Sequence, residues 1–418
     1  MVNVDHRVYV GIDIHSRKHR VGIMPITLLE RKDAAWTNTK TFIIENKIDD
    51  FQHLDAAIKS HSVSPEQVAI AVDHTGGHYS EPLVYFLLKQ GYRVYHLETR
   101  AVKAIRERFL DQENKSDTID AIGSAYILYL RDTHGISFRI APVSPQLNST
   151  AALFRSLILE RQRYAKMASQ ATNRLHHFLL AVFPEGEARY FPQLLRIIDQ
   201  YPTPEHILES NGLKEIKRLR KVNKEAILEL ANRTVGIPGK TYERVIKALS
   251  AQRTECLAQC DSIDSMLREE LLRHPYGCIL LSFPHIGEVS AATIIGIVQD
   301  IERWPTKQKL KKALGIYSRI SQSGQGSGRA RQGKEGSRAG RRVLFQICFG
   351  SASPRTTHDS DFKDYYLRQV ARGKPRMKAL VSTMGKLAEI IYHCLQAGET
   401  YVYQGVYKKV RNTAQTTE

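Results

Sequence analysis

Val8-Tyr-Val-Gly-Ile-Asp-Ile14 is an apolar, β-branched run that carries one glycine and one carboxylate. Its composition reads as a buried strand. Asp13 within it is expensive, because an unpaired buried carboxylate loses its hydration. Val68-Ala-Ile-Ala-Val-Asp73 is a second run of the same kind, with its acid at the end. Lys115-Ser-Asp-Thr-Ile-Asp-Ala121 adds Asp117 and Asp120. These are three apart on a helical stretch, so both carboxylates face one side. Ionised carboxylates at adjacent strand ends repel each other, and a fold gathers them mainly where a cation will sit between them.

Outward from these runs, strands are expected over 8–14, 20–25, 39–44, 68–73 and 93–97, and helices over 48–60, 80–90 and 117–131. Three early strands with no helix between them predict an antiparallel meander, followed by crossovers through helices. That order matches RNase H topology better than a plain dinucleotide-binding sheet, and no Gly-x-Gly-x-x-Gly follows the first strand. Residues 1–140 are thus expected to form an α/β, RNase-H-like domain with Asp13, Asp73, Asp117 and Asp120 as metal ligands.

The 418 residues carry 61 Lys+Arg against 43 Asp+Glu, a net charge of +18 that suits a polyanionic partner. No apolar run reaches the length of a membrane helix, and the start has no signal-peptide pattern. An odd count of five cysteines argues against a disulfide framework and for a reducing cytoplasm. Cys256 and Cys260 share a helix face and are read as a core or interface face rather than half a metal site.

Residues 140–147 read as a Pro-bearing linker, after which Asn148-Ser-Thr can cap a long helix over 151–183, ended by Pro184. Polar, weakly periodic sequence fills 185–237. A second long helix spans about 242–274. The pair suits an antiparallel coiled coil or a compact helical domain. The region 141–275 is accordingly read as a helical, coiled-coil segment.

The C-terminal region, 276–418, is expected to be mostly helical. Ser282-Phe-Pro-His-Ile-Gly-Glu-Val-Ser-Ala-Ala-Thr-Ile-Ile295 reads as a tight turn with Gly287 at its hinge entering an apolar helix, a helix-hairpin-helix-like element able to hold a backbone phosphate. Between 303 and 342 lie twelve Lys/Arg and one acid, Glu335. Ser321 to Gly336 is glycine-rich and reads as a flexible basic loop approaching phosphates, ahead of a helix starting near Arg341. The candidate nucleic-acid contacts are Lys115, Gly287, Arg319, Arg329, Arg331, Lys334, Arg338, Arg341 and Arg342. Ser323 is the candidate nucleophile, with Ser318, Ser321 and Ser327 hard to separate from it on the residues alone.

Gly11-Ile-Asp-Ile-His15, Asp73-His-Thr-Gly-Gly-His-Tyr79, Lys115-to-Ala121, Phe283-Pro-His-Ile-Gly287 with Ala291-Ala292, Gln322-Ser-Gly324, Lys334-Glu-Gly336 and Leu380-Val-Ser-Thr-Met-Gly-Lys-Leu387 occur in order. In this set the chain resembles the DEDD transposases of bacterial insertion sequences, also described as bridge-RNA-guided recombinases. The resemblance implies a RuvC-like domain whose four acids bind Mg²⁺ (or Mn²⁺). It implies Ser323 as a nucleophile that forms a transient phosphoserine link to DNA. It also implies donor and target DNA, a noncoding guide RNA and a homo-oligomer (dimer or tetramer) as partners, with a bacterial, cytoplasmic, nucleoid-associated location and no membrane. The family's second acid is usually Glu; here it is Asp73, one methylene shorter.

Three other readings compete. One is a RuvC-like, metal-dependent endonuclease that activates water. Another is an actin-like sugar kinase, since Val10-Gly-Ile-Asp-Ile-His15 resembles that family's first phosphate loop, although no adenosine loop follows. A third is a nucleic-acid-binding protein whose acids do no chemistry.

Overall fold

The apolar run around Gly11 forms β1 (Val8–Asp13), buried along its whole length. The computed structural model describes residues 6–31, 37, 39–73, 78–97, 99–108, 116–136, 140–143, 145–209, 223–321, 329–333 and 335–406. Beside β1 run β2 (Lys18–Pro25) and β3 (Thr41–Glu45), separated by a short helix α1 (Ile26–Leu29). Next come α2 (Ile48–Lys59), β4 (Val68–Asp73), α3 (Glu81–Lys89), β5 (Arg93–Leu97), α4 (Thr99–Arg108), α5 (Asp117–His134) and β6 (Ile140–Pro142). The six strands make one sheet in the order β3-β2-β1-β4-β5-β6. β1 is antiparallel to β2 and parallel to β4. β4 and β5 are parallel, and β6 closes the edge antiparallel to β5.

Apolar side chains cover both faces of this sheet. One face buries Val10, Ile12, Val21 and Ile70 against Phe51, Leu54, Leu83 and Leu87 of α2 and α3. The other packs Tyr9, Ala69 and Ala71 against Ile122, Ala125 and Tyr129 of α5. The close passage of α5 depends on Gly11. A β-carbon there would fall 1.9 Å from the Ala121 carbonyl oxygen and 2.6 Å from the Ala125 nitrogen. Glycine is thus the residue that lets helix and strand backbones approach this closely.

One expectation for the sheet changes, and one helix beside it is new. Residues 140–142 form strand β6 rather than linker. Pro142 is tolerated there because β6 is an edge strand, paired only with β5. Residues 99–108 form α4, whose Val102 and Ile105 reach the core while its other residues are largely polar.

The chain divides into two compact units, Met1–Phe154 with His274–Glu418, and Arg155–Arg273. The second unit contains most of α6 (Pro145–Val182), then α7 (Pro184–Leu194), α8 (Pro204–Glu209), α9 (Lys224–Asn232) and α10 (Glu243–Arg273). The helix begins at Pro145, so Asn148 lies inside it and is not its cap. Proline suits a first helical turn, where its missing N–H has no partner to lose. α6 and α10 run antiparallel. Arg161 donates to both carboxylate oxygens of Asp264 at 2.5 and 2.8 Å, while Leu175 and Val182 share a core with Ile246 and Leu249. Residues 185–237 are more ordered than their polarity suggests. Phe191, Leu194, Ile207, Ile227 and Leu230 from three short helices complete that core. Cys256 and Cys260 are buried, and the Cys260 thiol approaches the Arg161 carbonyl at 3.6 Å.

The C-terminal part of the first unit is helical, with α11 (Gly277–Leu281), α12 (Glu288–Val298), α13 (Lys307–Ala313), α14 (Arg338–Ala352), α15 (Asp361–Ala371) and α16 (Arg376–Ala397). A hairpin, β7 (Ser318–Ser321) with β8 (Arg329–Gln332), stands between α13 and α14. The five cysteines are free. Cys278 is exposed, Cys394 is half-buried, and Cys256, Cys260 and Cys348 are buried. Among the described residues no helix is long and apolar enough to cross a membrane.

Candidate functional site

Parallel pairing of β1 with β4 aligns Ile12 with Val72, so Asp13 and Asp73 end neighbouring strands at the same edge. The Asp73 side chain lies outside the described residues. α5 starts beside this edge, because its passage over Gly11 brings its first turn, Asp117 to Asp120, to the end of β1. A helix N-terminus favours these carboxylates through the partial charge of its free amides.

The acids divide into two groups. Asp13 is buried, and one of its carboxylate oxygens lies 3.1 Å from Nε2 of His15. Asp117, whose side chain is 49% exposed, places an oxygen 3.2 Å from the same nitrogen. One ligand atom from each of Asp13, His15 and Asp117 lies within 4.8 Å of the others. Asp120 is engaged differently. Arg106 of α4 donates to it at 2.7 Å, and both side chains are nearly buried, at 11% and 9% exposure. The structure therefore brings Asp13 and Asp117 together through His15, and ties Asp120 to Arg106.

His15 and Arg106 were not among the expected site residues. The alternation Asp13-Ile-His15 was the available signal for His15, since residues i and i+2 leave a strand on one face. Ile14 between them is buried. The His15 backbone amide donates to Nδ1 of fully buried His19, at 3.4 Å. His19 Nε2 donates to the Asn46 side-chain oxygen at 3.0 Å, and Asn46 in turn donates to the Tyr79 carbonyl at 3.0 Å. This chain of hydrogen bonds runs from the Asp13 loop to the segment that follows β4. Burial lowers the His19 pKa, which keeps its imidazole neutral and its Nδ1 an acceptor; the Asn46 bond opposes this less strongly.

In the C-terminal region the basic segment is partly a hairpin rather than wholly a loop. Ser318 pairs with Gln332, Arg319 with Arg331, Ile320 with Ala330 and Ser321 with Arg329. Its base is pinned by glycines. Gly336 has φ +82, and a β-carbon there would meet the Lys312 carbonyl at 1.9 Å and the Gly315 Cα at 2.9 Å. Ser323, Lys115 and Lys334 lie outside the described residues, with Ser323 in the connection between β7 and β8. For Arg319, Arg329 and Arg331 the backbone alone is described.

α14 begins at Arg338, three residues earlier than expected, because the Ser337 hydroxyl caps it by accepting from the Gly340 amide. Arg338 and Arg342 are exposed, while Arg341 is half-buried against Gly315. Not every cation of the segment is available to a partner. Lys307 and Lys311 pair with Glu389 at 3.7 and 3.0 Å, and Lys312 pairs with Glu335 at 2.7 Å. Burial works against the charge on Glu389, but the Lys311 hydrogen bond and the surrounding lysines hold its carboxyl below the usual range.

Gly287 is the N-cap of α12 in extended conformation, and a β-carbon there would meet nothing within 4 Å. The left-handed residue of the turn is His285, at φ 64, so the hinge lies two residues before its expected place.

The comparisons with known proteins agree on one family. A transposase model of the IS110 DEDD type matches residues 10–184, and one described as the transposase IS116/IS110/IS902 family matches residues 278–367. The chain is 24% identical over 325 residues to an insertion element IS110 uncharacterized 43.6 kDa protein of Streptomyces coelicolor, covering 74% of this chain and 78% of that one. It is 22% identical over 347 residues to an insertion element IS900 uncharacterized 42 kDa protein of Mycobacterium paratuberculosis, covering 80% and 84%. Both matched segments, one carrying the acids and the other the basic hairpin, place the chain in the IS110 family of transposases, enzymes that act on DNA.

Proposed function

We propose that this transposase cuts and exchanges DNA strands through Ser323, at a composite site whose other half is the RNase-H/RuvC-like domain of residues 1–140. The observation that carries the metal half is the convergence of Asp13 and Asp117 at the end of β1, with Asp73 ending the neighbouring strand. Two carboxylates and an imidazole form a donor set that fits a divalent ion, and burial of Asp13 makes a cation there favourable. Asp13, Asp73, Asp117 and Asp120 are the residues proposed to hold Mg²⁺ or Mn²⁺. Such an ion, when bound, offsets charge on the scissile phosphate and eases ionisation of a hydroxyl.

In this reading Oγ of Ser323 attacks phosphorus. The Oγ–P bond forms as the P–O bond to the leaving sugar oxygen breaks, and the hydroxyl proton passes to solvent. The resulting phosphoserine link keeps the phosphodiester available to a second strand's hydroxyl. Arg338, Arg341 and Arg342 near the start of α14, with Lys115, Gly287, Arg319, Arg329, Arg331 and Lys334, are proposed to hold phosphates. Three arginines among the first five residues of α14, with no acid in its first turn, sit where the helix dipole disfavours cations, and a bound phosphate would relieve that cost. The +18 charge supports donor and target DNA together with a noncoding guide RNA as partners. The unit Arg155–Arg273 is proposed to join protomers, so that a serine from one can meet the acids of another.

The deciding experiment traps the covalent intermediate. Denatured reaction mixtures with labelled element-end DNA should yield a protein–DNA adduct that maps to Ser323 and disappears in Ser323→Ala. Full strand exchange by that variant would sink the serine reading and leave water as the nucleophile.

A further inference from the structure

We propose that His15 is a nitrogen ligand in the metal site, and that it tunes the site toward ions that accept imidazole. The inference rests on the metal-binding role proposed above and adds to it a residue outside the four acids.

Three observations on His15 carry it. First, its Nε2 lies 3.1 Å from Asp13 and 3.2 Å from Asp117, yet among the described residues it makes no aligned hydrogen bond to either. The three atoms lie side by side rather than donor to acceptor. Ligand atoms on adjacent corners of an octahedron with bonds of about 2.1 Å sit roughly 3.0 Å apart; on a tetrahedron with the same bonds they sit about 3.4 Å apart. Both separations from Nε2 fall in that interval, and one ligand atom from each of the three residues lies within 4.8 Å of the others, an arrangement that suits a shared centre. Second, Nε2 itself is buried although 42% of the side chain is exposed. The donor atom faces inward and the rest of the ring faces solvent. Third, the His15 backbone is held by the His19–Asn46–Tyr79 chain, which limits how far the ring can drift.

The chemistry of this donor set has a consequence. Mg²⁺ prefers oxygen ligands and keeps its waters, whereas imidazole suits Mn²⁺ and the later transition ions. Adding an imidazole to the carboxylates therefore favours Mn²⁺ over Mg²⁺ more than carboxylates alone would.

The test uses the full chain with MnCl₂ as probe and pulsed electron paramagnetic resonance as readout. The wild type should bind Mn²⁺ with nitrogen-14 modulation, which changes to the nitrogen-15 pattern when histidine is labelled. His15→Gln should lose the modulation and bind Mn²⁺ about tenfold more weakly, while its affinity for Mg²⁺ changes less. Mn²⁺ binding that Asp13→Asn abolishes, but that shows no nitrogen modulation in the wild type, would overturn the role of His15 and leave the carboxylate site standing. No specific Mn²⁺ binding at millimolar concentration would overturn the metal reading and this inference with it. The wild-type spectrum decides even if a variant fails to fold.

Discussion

At the scale of single residues, the site holds its charges by opposite means. Asp13 is buried with another carboxylate near it, so Asp13→Asn removes a repulsion. We expect its melting temperature to be unchanged or raised, while strand cleavage falls by roughly two to three orders of magnitude, checked by calorimetry and a cleavage assay on the same preparation. Arg106→Ala has the reverse signature. It leaves Asp120 nearly buried without its partner, and urea unfolding should show a loss of about 3 kcal/mol. Asp13 was readable as a candidate site acid, because a lone carboxylate in a run of Val and Ile has no cheap structural purpose, and the structure buries it beside His15. Arg106 was not readable. Val102 and Ile105 are the buried apolar residues of α4, too few to mark a helix by periodicity. His15 was visible as a residue but not as a neighbour of both Asp13 and Asp117, since its place beside Asp117 depends on where α5 crosses the sheet.

Among the elements, that crossing is the most sensitive point. Gly11→Ala would push a methyl group into the Ala121 carbonyl, a contact between backbones that no rotamer change relieves. The expected cost is at least about 3 kcal/mol, read by chemical denaturation, with metal affinity lost because Asp117 moves away from Asp13. The strands over 68–73 and 93–97 could be read directly from β-branched runs bounded by turn residues. β6 could not, because Pro142 argues against a strand unless its edge position is known. The helices of 184–232 were hidden for a related reason: Pro184, Pro192 and Pro204 break the sequence into pieces too short to show a period. At α14 the exposed cations give a separate expectation. Replacing Arg338 and Arg342 together with alanine should lower affinity for duplex DNA without altering its sequence preference, and the slope of log affinity against log salt should shrink by about 2. Titrations at several salt concentrations check this.

For the molecule as a whole, stability should depend on acidity through a residue outside the acid cluster. His274 packs between the rings of Phe154 and Tyr276, with centroids 5.9 and 5.3 Å away, and its Nδ1 accepts from the Tyr276 amide. Burial lowers its pKa from 6.5 to about 4. Unfolded chains take up this proton near pH 6.5 and folded ones resist it until about pH 4. The stabilisation is therefore complete above pH 6.5 and drains away below it, reaching about 2 kcal/mol lost by pH 5. Unfolding curves of the wild type at pH 7 and pH 5 should differ by that much more than those of His274→Gln. The five free thiols have a practical outcome as well. Cys256, Cys260 and Cys348 are sheltered by packing, and burial with the nearby Glu399 charge raises the pKa of Cys394, leaving little thiolate there at neutral pH. Cys278 alone stands in solvent. The native chain thus comes with a ready fluorophore attachment point on α11: brief maleimide treatment should add one dye per protomer, and energy transfer between differently labelled protomers would report assembly without any engineered cysteine.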